Sequence, residues 1–439
     1  MSEASDELVL IGGRPLRGRV RVPGDKGMSH RALLFGAMAD GPSRIRGLAS
    51  GEDVDRTRAA LGQFGVAVTE SISGDEGGDI AIDGRGLDAF VEPDAVLGCG
   101  NSGTSIRLLT GLLAGRPFLS VLTGDESLVE RPMARVIEPL RAMGAHLDGR
   151  AGGTKPPLVV RGGDLTGCVH RLGVASAQVK TALLLAGLQA SGTTEVVEPA
   201  ASRDHTERML AALGAPLTRV DERAVRVTAG APSPFEFTVP GDPSSAAFWV
   251  VAATITSGSE LVVEGVALNP SRIAFVDVLQ RMGATIEIVH TGEQLGEPVG
   301  ELRVTSAPLH GTTVEGAEIP GVIDEIPVLA VAAACAEGIT EFRDAAELRV
   351  KESDRIATVS ELLTRLGVGS EQADDRLVVR GGRLQPGAVD SHGDHRIAMA
   401  GAVAAGVIDG ETRVRGWRAV ATSYPEFTAH LAALTGPSS

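Results

Sequence analysis

Six times along the chain an apolar stretch rich in Ala, Leu and Val, of helical length, runs into a glycine turn and then a strand-like segment, with polar or charged residues just ahead of the helix. The six stretches are PGDKGMSHRALLFGAMADG, GCGNSGTSIRLLTGLLAG, GVASAQVKTALLLAGLQASG, PGDPSSAAFWVVAATITSG, PGVIDEIPVLAVAAACAEG and SHGDHRIAMAGAVAAGVIDG, ending at Gly41, Gly115, Gly192, Gly258, Gly338 and Gly410. Their ends lie 66–80 residues apart. That period is longer than those of the common solenoids, so each repeat has room for a small α/β subdomain. Five repeats carry a second helix with a similar glycine ending, LGQFG, LRAMG, LAALG, LQRMG and LTRLG, each followed by a strand pattern such as LVVRGG. The sixth, HLAALTG, reaches Gly436 near the end of the chain, and the missing strand is expected from the front, where Glu7–Gly13 reads ELVLIGG. A circularly closed set of repeats in two globular domains of three is expected: residues 24–240, and residues 241–439 together with 1–23.

Composition narrows the class. A chain of 439 residues exceeds one compact core and suits two domains. With 43% apolar but only 3% aromatic residues, the cores must be built from aliphatic side chains, helped by 56 glycines at tight helix–strand junctions. Polar residues interrupt every apolar run well before the roughly 20 residues a membrane span needs. The acidic start MSEASDELVL lacks a basic-then-apolar signal, so a cytoplasmic protein with no membrane partner is expected. Three cysteines without a CxxC suggest neither a disulfide framework nor a zinc site. Cys335 reads as core; Cys99, near a helix start, reads as a packing residue, although that place could lower its pKa. A formal charge of −15 argues against nucleic acid or anionic lipid as the main partner, but not against small anions bound by local charge.

The polar residues ahead of the helices share one position in each repeat: Lys26, Asn101, Ser176, Asp242, Asp324 and Asp394. A helix N-terminus offers free N–H groups and the positive end of the dipole, which favour anions. Singly, Ser, Asn and Asp there are ordinary caps. The cations are harder to explain as caps: Lys26, Arg31, Arg131, Lys180, Arg203, Lys351, Arg355 and Arg396 lie at or beside element starts, where positive charge opposes the dipole. Facing domains would aim six such helix starts into one cleft, an anion trap.

The segments PGDKGMSHRALL, GNSGTSIRLL, ERPM, SAQVKTALLLAGL, SRDHTERML, PGDPSSAAF, IDEIPVLAVAAACAEG, LRVKESDR and GDHRIAMA, in this order over almost the whole chain, resemble the 5-enolpyruvylshikimate-3-phosphate synthase family, closest to its class II branch. The resemblance implies an inside-out α/β (α+β) fold of six βαβαββ-like repeats. It also implies transfer of the enolpyruvyl group of phosphoenolpyruvate to the 5-hydroxyl of shikimate 3-phosphate, with release of phosphate and no metal or organic cofactor, by what is expected to be a monomer. Lys26, Arg31, Ser176, Ala177, Gln178, Ser202 and Arg203 are implied for shikimate 3-phosphate, with Asp324 and Lys351 near its hydroxyl. Lys26, Asn101, Gly103, Thr104, Arg131, Gln178, Arg355 and Arg396 are implied for phosphoenolpyruvate. Arginine suits such places because its planar fork binds carboxylate or phosphate through two parallel hydrogen bonds.

The same resemblance gives the acid–base work to Asp324, Lys351 and Glu352, with Glu352 serving the methylene carbon and Asp324 with Lys351 the hydroxyl proton. Open and closed states are expected, since the reaction requires water to be excluded. Glyphosate, which in this family occupies the phosphoenolpyruvate site, is expected to inhibit, because Gly103 leaves room that a methyl would remove. Two positions depart from the usual pattern: Gly27 follows Lys26 where a serine is usual, and Thr422 stands where some members carry lysine. A UDP-N-acetylglucosamine enolpyruvyl transferase is the nearest rival, but LTGDESLVERPM lacks the cysteine that family carries in this loop. A non-catalytic anion-binding homologue would not need Asp324, Lys351 and Glu352 together.

Overall fold

The computed structural model describes residues 6–71 and 79–436. Its strands form six small sheets. The second repeat shows the common plan: Leu97–Gly98 runs parallel to Leu119–Thr123, which pairs antiparallel with Lys155–Arg161, which pairs antiparallel with His146–Gly149. Alternating burial along such strands, as in Asp79–Arg85, turns one face of each sheet toward a helix layer.

Among the described residues, the chain divides into two compact units. One comprises Gly24–Val239 and Glu293–Glu297; the other comprises the chain up to Pro23, Pro240–Gly292 and the chain from Pro298 onward. Each unit completes a sheet with a strand from a distant part of its sequence. Glu236–Thr238 lies parallel to Asp40–Arg46 in the first. In the second, Arg17–Arg21 lies parallel to Glu260–Ala267, and Glu7–Ile11 pairs antiparallel with Glu411–Arg415.

The first helix of each repeat is the one the apolar runs predict: Lys26–Met38, Gly103–Leu113, Ala177–Gly187, Pro243–Ile255, Ile326–Ala334 and His395–Ala405. They are buried on nearly every side, as helices apolar all round must be. Cys335 falls just past the end of its helix and is half-buried against the core rather than inside it. Small residues let these helices approach closely. A Cβ on Gly111 would lie 2.2 Å from the carbonyl oxygen of Ala182 on the neighbouring helix.

Second helices such as Glu52–Gln63 and Arg355–Arg365 are amphipathic and carry exposed charge. In Glu52–Gln63 the exposed Gly62 would have nothing within 4 Å of an added Cβ. Gly111→Ala is therefore expected to destabilise its unit by about 1–3 kcal/mol through overpacking. Gly62→Ala is expected to stabilise it by about 0.5–1 kcal/mol by restricting the unfolded chain. Chemical denaturation of the two variants beside the parent checks both signs.

Candidate functional site

In the unit built on Gly24–Val239, the helix starts carry side chains that cap, and cations that the protein itself partners. Asp25 caps the first helix by accepting from the Met28 N–H at 2.8 Å, and Lys26, the first helical residue, reaches Asp53 Oδ2 at 2.9 Å. Arg31, one turn further, is buried. It donates to Thr206 Oγ1 at 2.7 Å, to Thr181 Oγ1 at 2.8 Å and to the Gly27 carbonyl at 2.7 Å. Burial pulls its pKa down to about 10, still high enough for full positive charge at neutral pH. Arg203 adds a second positive charge to its surroundings.

Helix Ala177–Gly187 begins after Ser176, whose hydroxyl caps it, while the Ser176 N–H donates to Glu198 Oε1 at 3.2 Å. Gln178 joins two repeats: its amide donates to Thr104 Oγ1 at 2.9 Å and its oxygen accepts from Arg107 at 2.7 Å. Asn101 donates to Asp125 at 2.7 Å and accepts from the Arg131 guanidinium. Gly103 opens its helix beneath two guanidinium groups, since an added Cβ would lie 2.8 Å from Arg107 Nη1 and 3.1 Å from Arg131 Nη1. Ser202 precedes the helix His205–Ala212, and its hydroxyl is buried with no hydrogen-bond partner among the described residues. A buried orphan hydroxyl costs free energy unless a ligand or water satisfies it.

The other unit gathers the acid–base candidates around one guanidinium. Arg355 donates to Asp394 Oδ2 at 2.8 Å, to Asp324 Oδ1 at 3.2 Å and to Glu352 Oε2 at 2.6 Å. Burial alone would lower its pKa, but Asp394, Glu352 and Asp324 together outweigh that and hold it above the usual range. Burial would likewise raise the pKa of Asp394, and the Arg355 charge beside it prevails, keeping it below the ordinary value. Lys351 Nζ stands 3.4 Å from Asp324 Oδ1. Arg396, in the first turn of its helix, donates to the Asp324 backbone carbonyl at 3.0 Å. Lys351 and Glu352 lie in the turn before the helix Arg355–Arg365, which Asp354 caps.

The structure corrects or extends several expectations. Lys180 does not face outward as an anion ligand: it is buried between Glu198 and Glu207, 2.7 Å from each. Cys99 is a buried packing residue whose thiol burial pushes up to about 12, the opposite of activation. Arg107, Asp53, Thr181 and Thr206 are additions. Arg107 could have been found as a lone cation inside an apolar helical run; the partners of Lys26 and Arg31 had no such signal, because their contacts join segments far apart in sequence. Among the described residues no helix is long and apolar enough to cross a membrane, and no group of three or more His, Cys, Asp or Glu is placed to hold a metal ion.

Behind these helix starts runs a buried hydroxyl chain, from His30 Nδ1 to Thr57 Oγ1 to Ser105 Oγ to Ser102 Oγ, each step 2.8 Å. Burial drives the His30 pKa down to about 3, so the folded protein holds this ring neutral. A depressed histidine pKa contributes stability that is fully present above the unfolded value of about 6.5 and is lost as pH falls from there toward the folded value. Stability of this unit is thus expected to fall by up to about 1.4 kcal/mol per pH unit below pH ~6.5 from His30 alone. In His30→Gln that component of the slope should vanish, as hydrogen exchange of the Lys26–Met38 amides at several pH values would show.

Comparison with known proteins gives one answer. Residues 10–431 match the family described as EPSP synthase (3-phosphoshikimate 1-carboxyvinyltransferase). A 3-phosphoshikimate 1-carboxyvinyltransferase of Synechococcus sp. (strain JA-3-3Ab) is 51% identical over 100% of this chain and 99% of its own length. One from Shouchella clausii (strain KSM-K16) is 48% identical over 95% of this chain and 96% of its own. The structure of an EPSP synthase from Acinetobacter baumannii superimposes with a TM-score of 0.87 at 39% identity, covering 98% of both chains. The enolpyruvyl transferase NikO from Streptomyces tendae, at 21% identity and a TM-score of 0.78 over 98% of both chains, shares the fold.

Proposed function

The chain belongs to the EPSP synthase family, and from that premise we infer that it is a 3-phosphoshikimate 1-carboxyvinyltransferase whose residues divide the work between two anionic substrates. It transfers the enolpyruvyl group of phosphoenolpyruvate to the 5-hydroxyl of shikimate 3-phosphate and releases phosphate. The observation that carries the assignment of roles is the gathering of Asp324, Glu352 and Asp394 on the one guanidinium of Arg355, with Lys351 beside Asp324.

Shikimate 3-phosphate is assigned to Lys26, Arg31, Ser176, Ala177, Gln178, Ser202 and Arg203. The orphan Ser202 hydroxyl supports this, as does the cationic pair Arg31 and Arg203. Phosphoenolpyruvate is assigned to Asn101, Gly103, Thr104, Arg131, Arg355 and Arg396, with Lys26 and Gln178 shared between the substrates. The 5-hydroxyl gives its proton to the Asp324–Lys351 pair as its oxygen bonds to the central carbon of phosphoenolpyruvate. The methylene carbon takes a proton from Glu352. In the second half Glu352 removes a proton from the resulting methyl group, the carbon–carbon double bond re-forms, and the bond to phosphate breaks.

Glu352 is paired with Arg355 at 2.6 Å, a guanidinium also assigned to phosphoenolpyruvate, so the substrate anion and Glu352 share one cation.

Phosphate release from phosphoenolpyruvate that depends on added shikimate 3-phosphate tests the activity. Dependence on UDP-N-acetylglucosamine instead would overturn it. Glu352→Gln is expected to lower turnover by about 10²-fold or more with shikimate 3-phosphate binding nearly intact; near-normal turnover would move the carbon acid–base role elsewhere. Glyphosate is expected to inhibit competitively with phosphoenolpyruvate. Gly103→Ala, whose methyl crowds Arg107 and Arg131, should raise its inhibition constant more than tenfold, a change of roughly 1.4 kcal/mol or more, while raising the KM for phosphoenolpyruvate less. Equal rises in the two constants would show that the methyl acts on the shared anion contacts alone.

A further inference from the structure

Beside Asp324 stands a second carboxylate to which no role has been given. Glu325 directly precedes the helix Ile326–Ala334, makes no side-chain cap, and is 1% exposed. Its Oε1 accepts from the Ser244 hydroxyl, which itself accepts from Arg272 Nη2 at 3.0 Å. Arg272 also donates to Asp242 at 2.7 Å, and Asp242 caps the helix Pro243–Ile255 through the Ser244 N–H at 2.8 Å. Glu325 Oε2 is buried with no hydrogen-bond partner among the described residues.

A buried carboxylate with an unsatisfied oxygen is costly unless a nearby positive charge compensates it. Besides Arg272, which reaches Glu325 through the Ser244 hydroxyl, Arg396 supplies such a charge: its Nη1 lies 3.8 Å from Glu325 Oε1, too far for a hydrogen bond and close enough for strong attraction in a dry setting. The same Nη1 donates to the Asp324 carbonyl, so the 324–325 segment holds that end of the guanidinium from two sides. The anchored end of Glu325, tied through Ser244 to a helix cap, gives this hold a rigid base.

We propose that Glu325 is a positioning residue for the enolpyruvyl donor: it acts through Arg396, fixing the guanidinium in the direction from which it meets phosphoenolpyruvate. The proposal rests on the assignment of Arg396 to that substrate. Glu325 touches no reacting atom in this scheme, so its removal should appear in substrate affinity rather than in the chemical step.

Steady-state kinetics with both substrates on E325Q, R396A and the double variant test it. E325Q is expected to raise the KM for phosphoenolpyruvate about tenfold, with kcat within about threefold and the KM for shikimate 3-phosphate unchanged. In the R396A background the E325Q substitution should have no further effect on the phosphoenolpyruvate KM, since the residue it acts through is gone. If R396A leaves that KM unchanged, the assignment of Arg396 fails; if R396A raises it and E325Q does not, the assignment stands and the positioning role is overturned. Equal loss in both KM values and kcat, with a lowered Tm, would also overturn it, because that pattern marks a purely structural carboxylate. Should E325Q not fold, S244A removes the hydroxyl that fixes Oε1 while keeping the charge. A rise of a few-fold in the phosphoenolpyruvate KM is then expected, and an unchanged value rejects the proposal.

Discussion

A helix that is apolar on nearly every face can be accommodated only inside its unit, and once there its backbone has unpaired polar groups only at its ends. The organisation of this protein follows from that constraint. The helix Pro243–Ile255 buries Phe248 and Trp249 completely, and Ile326–Ala334 is buried from end to end. Their sides are closed by packing against sheets and neighbouring helices. What remains open to chemistry is the N-terminal turn, where free N–H groups and the dipole draw anionic caps such as Asp25, Asp242 and Asp394.

Those caps and their neighbours explain how cations can stand where the dipole disfavours them. Lys26 is balanced by Asp53, Arg355 by three carboxylates, and Arg31 is held by neutral hydroxyls and a carbonyl. The contrast matters for function. Arg31 makes its hydrogen bonds to neutral acceptors, with the charges of Asp25, Glu207 and Glu297 acting on it without a direct ion pair, so a ligand need not displace a carboxylate, whereas Arg355 must exchange one partner for another. Arg31 therefore suits a standing anion site, and Arg355 suits a place where a ligand anion and carboxylates share one cation. Lys180 marks the limit of the pattern, since a lysine between two buried glutamates has no charge left to offer.

Close packing also limits how the sites can vary. Gly103 lies under the guanidinium groups of Arg107 and Arg131, and Gly27 lies 3.3 Å from Arg31 when given a Cβ. At Gly27 a side chain would sit among Asp25, Arg31 and His205. Glycine at this position supplies no hydroxyl, and its carbonyl accepts from Arg31.

The amino-acid sequence by itself determined the repeat, the six apolar helices and the polar residues at their starts, because hydrophobic periodicity and cap chemistry are local properties of consecutive residues. The order of motifs such as GNSGT and KESDR determined the family for the same reason. Tertiary structure decided which charges meet. Nothing local ties Lys26 to Asp53, Arg31 to Thr181 and Thr206, or Glu325 to Ser244 and Arg396. Ion pairing and hydrogen bonding act over a few ångströms between side chains that the chain separates by tens of residues, and only folding brings them within that range. The same limit turned Lys180 from a candidate ligand into a core ion pair: no acidic residue adjoins it in sequence, and the two carboxylates that claim it arrive from other elements.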